Sequence, residues 1–157
     1  MAGLKTSQYA ARIQWSSVAL VGHSLGGYTA LGLAGGWASW KQQGIKAVMA
    51  LSPVCTPYSH HKTLKALDVP VFYQGGTRDL GITPAVKKPG GCFDQTPSPA
   101  YFVEFEGAGH FAWTDSKPEQ HELINKYSLA FLDQYVRGVS SDVLTKKLTG
   151  VAELRRK

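Results

Sequence analysis

The stretch Gly22-His23-Ser24-Leu25-Gly26-Gly27 lies between the apolar run Val18-Ala19-Leu20-Val21 and the helix-forming Tyr28-Thr29-Ala30-Leu31. Few folds accommodate that order. A buried strand must turn sharply into a helix with a serine at the apex, which is the setting in which G-x-S-x-G becomes a nucleophile elbow. A serine held in so tight a turn is expected to leave no room for side chains at Gly22 and Gly26. It is also lifted clear of the sheet, where a substrate can reach it. The same residues can form a plain glycine-rich turn with an N-cap serine. The flanking elements and the residues downstream decide between the two.

Downstream, Ile45-Lys46-Ala47-Val48-Met49-Ala50-Leu51 is a largely apolar run of strand length, stopped by Ser52-Pro53. Such runs suit a parallel sheet covered on both faces. Residues 69–73 predict a third strand with Pro70 near its start, and residues 101–105 a fourth. Residues 80–99 hold four prolines and three glycines, which predicts a long irregular loop with at most a turn of helix. Helices are expected over residues 1–15, from Leu25 to the stop at Gly35-Gly36, and around Leu64 and Leu67. Ser116-Lys117-Pro118-Glu119 reads as a capping box that opens a further helix. That helix presents Leu123, Ile124, Tyr127, Ala130, Phe131 and Tyr135 on one face, and Gly138 stops it. Residues 138–157 read as a polar, basic tail with at most one weak helix after Ser141. Strand and helix alternate, and parallel strands need right-handed crossovers. The expected architecture is therefore α/β, a three-layer α/β/α domain with a mostly parallel sheet of about four strands.

A chain of 157 residues suffices for one domain, and 43% hydrophobic with 18% charged residues is a globular composition. The net charge is +6, and the basic residues are scattered except at Lys146-Lys147 and Arg155-Arg156-Lys157, with no interleaving of basic and aromatic residues along a face. This predicts a solvated tail and no nucleic-acid partner. No run reaches the roughly 18 apolar residues a membrane span requires, and the N-terminus lacks the apolar centre of a signal peptide. A soluble, cytoplasmic protein without a membrane partner is expected. Cys55 and Cys92 form neither a C-x-x-C nor a set of four, so no metal and no redox motif is expected. They pair if the protein is exported and stay thiols in the cytoplasm, and their spacing leaves both open.

Ser24 follows the first strand, Asp79 the third and His110 the fourth, and in parallel sheets functional residues gather at the carboxyl ends of strands. The order Ser, Asp, His is that of the α/β-hydrolases. With G-H-S-L-G-G-Y-T-A, G-G-T-R-D and G-A-G-H-F, residues 1–137 resemble that family, and most of all its serine esterases of the dienelactone-hydrolase-like branch. The resemblance implies Ser24 as nucleophile, His110 as base, Asp79 as its acid, the Leu25 backbone N–H as one oxyanion-hole donor, and no cofactor. A serine where the dienelactone hydrolases proper carry cysteine favours simple ester hydrolysis, and the little chain available to build a lid or a deep lipid pocket favours a small short-acyl ester as substrate. Asp68 and Asp94 are rival acids; Asp68 precedes its strand and Asp94 lies in the irregular loop. His23 is read as a packing and hydrogen-bonding residue, because adjacent side chains on an elbow point apart. His60, His61 and His121 are read as ordinary surface or packed histidines. Phe111, Trp113, Tyr58 and Trp37 are candidates to line an acyl pocket.

The family scheme places several strands before the nucleophile, together with a loop donating the second oxyanion amide. The residues before Ser24 are too few for even one β-α-β unit, so a truncated fold is expected. The strand at 18–21 then becomes an open sheet edge with apolar side chains on both faces. Such an edge is an association site, which predicts a homo-oligomer formed through it. A weak or inactive hydrolase remnant serving assembly or binding is the alternative reading.

Overall fold

Four apolar runs become the parallel strands β1 (Val18–His23), β2 (Ile45–Leu51), β3 (Val71–Gly76) and β4 (Ala100–Phe105). The structure, a computed structural model, describes residues 2–157 apart from the side chains of Ala2 and Leu4. A fifth strand, β5 (Val151–Arg156), runs antiparallel to β4, and the sheet order is β1-β2-β3-β4-β5.

Strand order follows chain order, so right-handed crossovers carry every helix between two parallel strands to one face of the sheet. That face holds α2 (Leu25–Leu31), α3 (Thr56–His61), α4 (Thr83–Lys87) and α5 (Cys92–Gln95). Ala30, Leu31, Tyr58, Val86 and Phe93 from these helices pack on Val48, Ala50, Val71, Tyr73 and Phe102 of the strands. The alternate residues Ala47, Met49, Phe72 and Val103 face the other way and meet Ile124, Tyr127, Ala130 and Phe131 of α6 (His121–Leu132). The period-2 alternation of the strands thus feeds two separate cores, one on each face. The architecture is α/β with a mostly parallel sheet flanked by helices, as expected.

Residues 80–99 carry two short helices, α4 and α5, where at most a turn of helix is expected, and three further expectations need correction. Residues 138–157 are not a solvated tail, because β5 closes the sheet edge beside β4. Its Val151 is buried, and Arg155 lies over the Phe102 ring at 5.8 Å while donating to the Lys87 carbonyl at 2.8 Å. Lys157 sits over the Phe93 ring at 5.1 Å, and partial burial lowers its pKa. Arg155 and Lys157 both set their charged heads over the face of an aromatic ring, where the ring quadrupole attracts a cation, and charges on an edge strand block pairing with other chains. The capping box at Ser116 is not made: Ser116 bonds the Thr114 hydroxyl, residues Pro118–Gln120 form a 3-10 turn, and α6 begins at His121. The helix expected over residues 1–15 is only α1 (Ala2–Lys5) followed by a 3-10 turn at Ala10–Arg12, and Met1 lies outside the described residues.

Cys55, at the start of α3, is joined to Cys92, at the start of α5, across 37 residues. In the chain-entropy account a bridge over a loop of that size is worth about 4 kcal/mol. At the opposite edge of the sheet, β1 pairs with β2 alone among the described residues, and Val21 is 50% exposed.

Tyr58, Tyr73 and Tyr127 are all fully buried, and burial is the first cause that raises the pKa of each. The unfolded chain ionises its phenols near pH 10, whereas the folded chain keeps these three neutral. Their contribution is complete below about pH 10 and is lost as pH rises through the folded values, because only the unfolded state releases the protons. The urea midpoint is accordingly expected to fall between about pH 9 and about pH 11. Tyr73→Phe is expected to flatten that fall, and an unchanged slope would show that Tyr73 does not titrate on unfolding.

Candidate active site

Ser24 joins β1 to α2 with φ 54° and ψ −117°, a conformation that L-residues rarely adopt. Three hydrogen bonds hold it there. Its N–H donates to the Leu51 carbonyl at 2.9 Å, and its carbonyl accepts from the Tyr28 N–H at 3.1 Å and the Val54 N–H at 3.2 Å. A Cβ on Gly22 would stand 2.2 Å from both the carbonyl carbon and oxygen of Gly26, and one on Gly27 would stand 2.8 Å from Pro53 Cβ. A Cβ on Gly26 would meet nothing within 4 Å. The expectation that Gly26 lacks room is therefore wrong, and Gly22 and Gly27 are the crowded pair. Gly26 lies on the outer side of the first helical turn.

Asp79 lies just past β3, 4% exposed, with its N–H donating to the Gly76 carbonyl at 3.0 Å. His110 lies past β4. Its loop is pinned to the end of β3 where the Arg78 N–H donates to the Ala108 carbonyl at 2.9 Å and the Gly107 N–H donates to the Thr77 hydroxyl at 2.8 Å. A Cβ at Gly76 would stand 2.2 Å from that Ala108 carbonyl oxygen, so the close approach needs glycine.

The structure brings the three side chains together. His110 Nε2 stands 2.9 Å from Ser24 Oγ, and His110 Nδ1 stands 3.2 Å from Asp79 Oδ1. A carboxylate can only accept, so Nδ1 carries the proton and Nε2 is left to accept from the Ser24 hydroxyl. The carboxylate is itself held, since Asp79 Oδ2 accepts from the hydroxyls of Ser52 and Thr83, the latter at 3.2 Å. The His23 Nε2–H donates to the His110 carbonyl at 2.7 Å, and the Trp113 ring stacks on His23 with centroids 6.0 Å apart. The Trp113 indole N–H donates to Gln74 Oε1 at 2.8 Å, and Gln74 Nε2 donates to the Ser128 hydroxyl at 2.8 Å. A buried polar chain from β3 and α6 thus fixes the backbone of the histidine loop.

The chain is similar to cutinases. It is 31% identical over 133 residues to Cutinase 1 of Thermobifida cellulosilytica and to the cutinase of Thermobifida fusca strain YX, and 30% identical over 128 residues to cutinase est2 of Thermobifida alba. These stretches take in 83, 83 and 80% of this chain and 45, 40 and 38% of those proteins. The chain spans less than half the length of the curated relatives it matches. No family model matches it.

Leu25 opens α2, so its N–H is one of the first-turn amides without an intrahelical partner. Its side chain is 68% exposed, and Phe111, beside His110, is 62% exposed. Phe111 borders a cleft of about 430 Å³ with Arg78, Gly107 and His110. Trp113 borders a groove of about 630 Å³ with Val21, Met49, Leu51 and Ile124. Tyr58 does not line the site: it is fully buried on the crossover-helix face, donates its O–H to the Tyr28 carbonyl at 2.6 Å, and packs its ring 4.9 Å from Trp37. The position of α3 under α2 determines this, and no local sequence signal marks it. The rival acids lie elsewhere. Asp94 accepts from the Gly90 N–H at 2.9 Å, and Asp68 pairs with Lys41 at 2.6 Å, which holds its carboxyl below the usual range. Among the described residues no group of three or more His, Cys, Asp or Glu side chains could hold a metal ion. Ser52 is the residue at this site that sequence reasoning read only as a strand stop. Its position at the carboxyl end of β2, beside the elbow, is the signal that could have marked it.

Proposed function

We propose that the protein is a serine hydrolase that cleaves small, short-acyl carboxylic esters through an acyl-enzyme, with Ser24, His110 and Asp79 as its triad. The observation that carries this reading is the 2.9 Å approach of Ser24 Oγ to His110 Nε2, with Nδ1 turned to a buried carboxylate. Ser24 Oγ attacks the ester carbonyl carbon and its proton passes to Nε2, while Asp79 stabilises the imidazolium that forms. The oxyanion meets the Leu25 N–H, a kind of contact worth about 10²–10³ in turnover. Collapse of the tetrahedral adduct breaks the bond to the alcohol, which leaves with the Nε2 proton. Water then gives a proton to Nε2, attacks the acyl carbon and releases the acid, and Ser24 recovers its proton.

The similarity to cutinases supports an ester as the bond cleaved. The exposure of Leu25 and Phe111 beside the reacting atoms supports a shallow site for short acyl groups. The motifs G-G-T-R-D and G-A-G-H-F support the dienelactone-hydrolase-like branch. The Cys55–Cys92 disulfide favours an oxidising compartment over the cytoplasm expected from the N-terminus. No described helix is long and apolar enough to cross a membrane.

The test pairs hydrolysis of 4-nitrophenyl acetate and butyrate with labelling by a serine-directed phosphonate. The wild type is expected to turn over both esters and to take up the probe at Ser24, and Ser24→Ala to do neither. The open edge of β1, with Val21 half exposed, favours a second reading in which the chain is an inactive assembly module. Equal rates in the two proteins and no labelling would leave that one standing. On either reading the β1 edge is the surface proposed for self-association, and a sedimentation mass equal to the monomer overturns it.

A further inference from the structure

Ser52 is fully buried at the end of β2, and its φ of +42° lies in the left-handed region. A non-glycine residue with that backbone immediately before a proline is doubly disfavoured. Such conformations persist where the surroundings over-determine them, and they cluster at functional sites. Three described non-glycine residues have positive φ: Ser24, Ser52 and Lys62. Lys62 is the ordinary left-handed cap of α3, and the other two converge on the His110 ring from opposite sides.

The Ser52 N–H donates to the Gln74 carbonyl at 2.8 Å, which fixes the residue between β2 and β3. Its side chain then has two partners. The hydroxyl donates to Asp79 Oδ2, and its oxygen lies 2.9 Å from His110 Nδ1, closer than Asp79 Oδ1 at 3.2 Å. The Nδ1 proton is therefore shared between a carboxylate oxygen and a hydroxyl oxygen, and that hydroxyl gives its own proton to the same carboxylate. Thr83 adds a second, longer bond to Oδ2, and its oxygen accepts from the Gly76 N–H at 2.9 Å.

We propose that Ser52 is a positioning residue of the triad, closing a three-membered ring of hydrogen bonds with Asp79 and His110 that fixes the carboxylate rotamer and the imidazole orientation. It does not touch the substrate. The strained backbone at residue 52 places Oγ between the acid and the base. The proposal rests on Ser24, His110 and Asp79 acting as the triad, so its test includes a reading that does not need turnover.

Ser52→Ala and Ser52→Gly both remove the hydroxyl, and glycine also relieves the backbone at φ +42°. Each is expected to lower kcat on 4-nitrophenyl butyrate by about tenfold with KM within about twofold. In an Asp79→Asn background Ser52→Ala is expected to cost nothing further, because its effect passes through that carboxylate. In proton NMR the downfield Nδ1–H resonance of His110 is expected to shift in Ser52→Ala relative to wild type. Wild-type kcat in either variant, an undiminished loss in the Asp79→Asn background, or an unmoved Nδ1–H resonance each overturns the proposal. A wild type that neither turns over esters nor takes up the phosphonate counts against the hydrolase reading, and the resonance then still decides the role of Ser52.

Discussion

Asp79→Asn is expected to lower kcat on 4-nitrophenyl butyrate by about 10⁴-fold while leaving the thermal midpoint near that of the wild type. The size follows from which way the amide must point. Asp79 Oδ2 accepts from the hydroxyls of Ser52 and Thr83, so in the variant the amide oxygen takes that position and the NH₂ group takes the position of Oδ1. There it faces His110 Nδ1 at the present 3.2 Å as a donor. Nδ1 must then accept, the ring proton moves to Nε2, and Nε2 donates to Ser24 Oγ instead of accepting from it. The imidazole is held in the tautomer that cannot take the proton of Ser24 Oγ. Phosphonate labelling should slow in parallel with kcat, since both need the same activated Ser24. Activity within about tenfold of wild type would remove Asp79 from the triad, because an acid acting only through packing has no tautomer to control.

The four parallel strands and the order of Ser24, Asp79 and His110 could be read from the sequence because each rests on a local signal, an apolar run followed by a turn with a polar residue at its end. What could not be read depends on the other face or the far end of the chain. Glu153, Arg155 and Arg156 make β5 look like a solvated tail, yet charges suit an edge strand, and its partner β4 lies some fifty residues earlier in sequence. Tyr58 lies one crossover from the elbow, but only the shared direction of all the crossovers puts α3 on the face away from Trp113. The capping box failed because Thr114 competes for the Ser116 hydroxyl and because the turn at Pro118 is of the tighter 3-10 kind. Ser52 was hidden by its own strain: a serine before proline reads as the end of a strand, and the conformation that makes it more is set by its neighbours.

The elbow supplies the second large expectation, and it separates two glycines that the motif treats alike. Gly22→Ala is expected to destabilise the protein by about 3 kcal/mol, because the new Cβ falls 2.2 Å from the carbonyl carbon and oxygen of Gly26. Those atoms cannot retreat cheaply. They belong to the first turn of α2, and the residue between the two glycines that defines the turn, Ser24, is tied through its N–H to the Leu51 carbonyl and through its carbonyl to the amides of Tyr28 and Val54. Any shift that clears the clash breaks at least one of these buried bonds and carries Ser24 Oγ away from His110 Nε2. Stability and phosphonate labelling should therefore fall together. Gly26→Ala provides the contrast, since its Cβ enters open space. Alanine in a helix is favoured over glycine by roughly 0.5–1 kcal/mol, so this variant is expected to unfold at a higher denaturant concentration and to keep its labelling. If Gly26→Ala were instead the damaging change, the outer side of the first turn of α2 would have to be covered in solution by something that Leu25, two-thirds exposed beside it, does not meet within this chain.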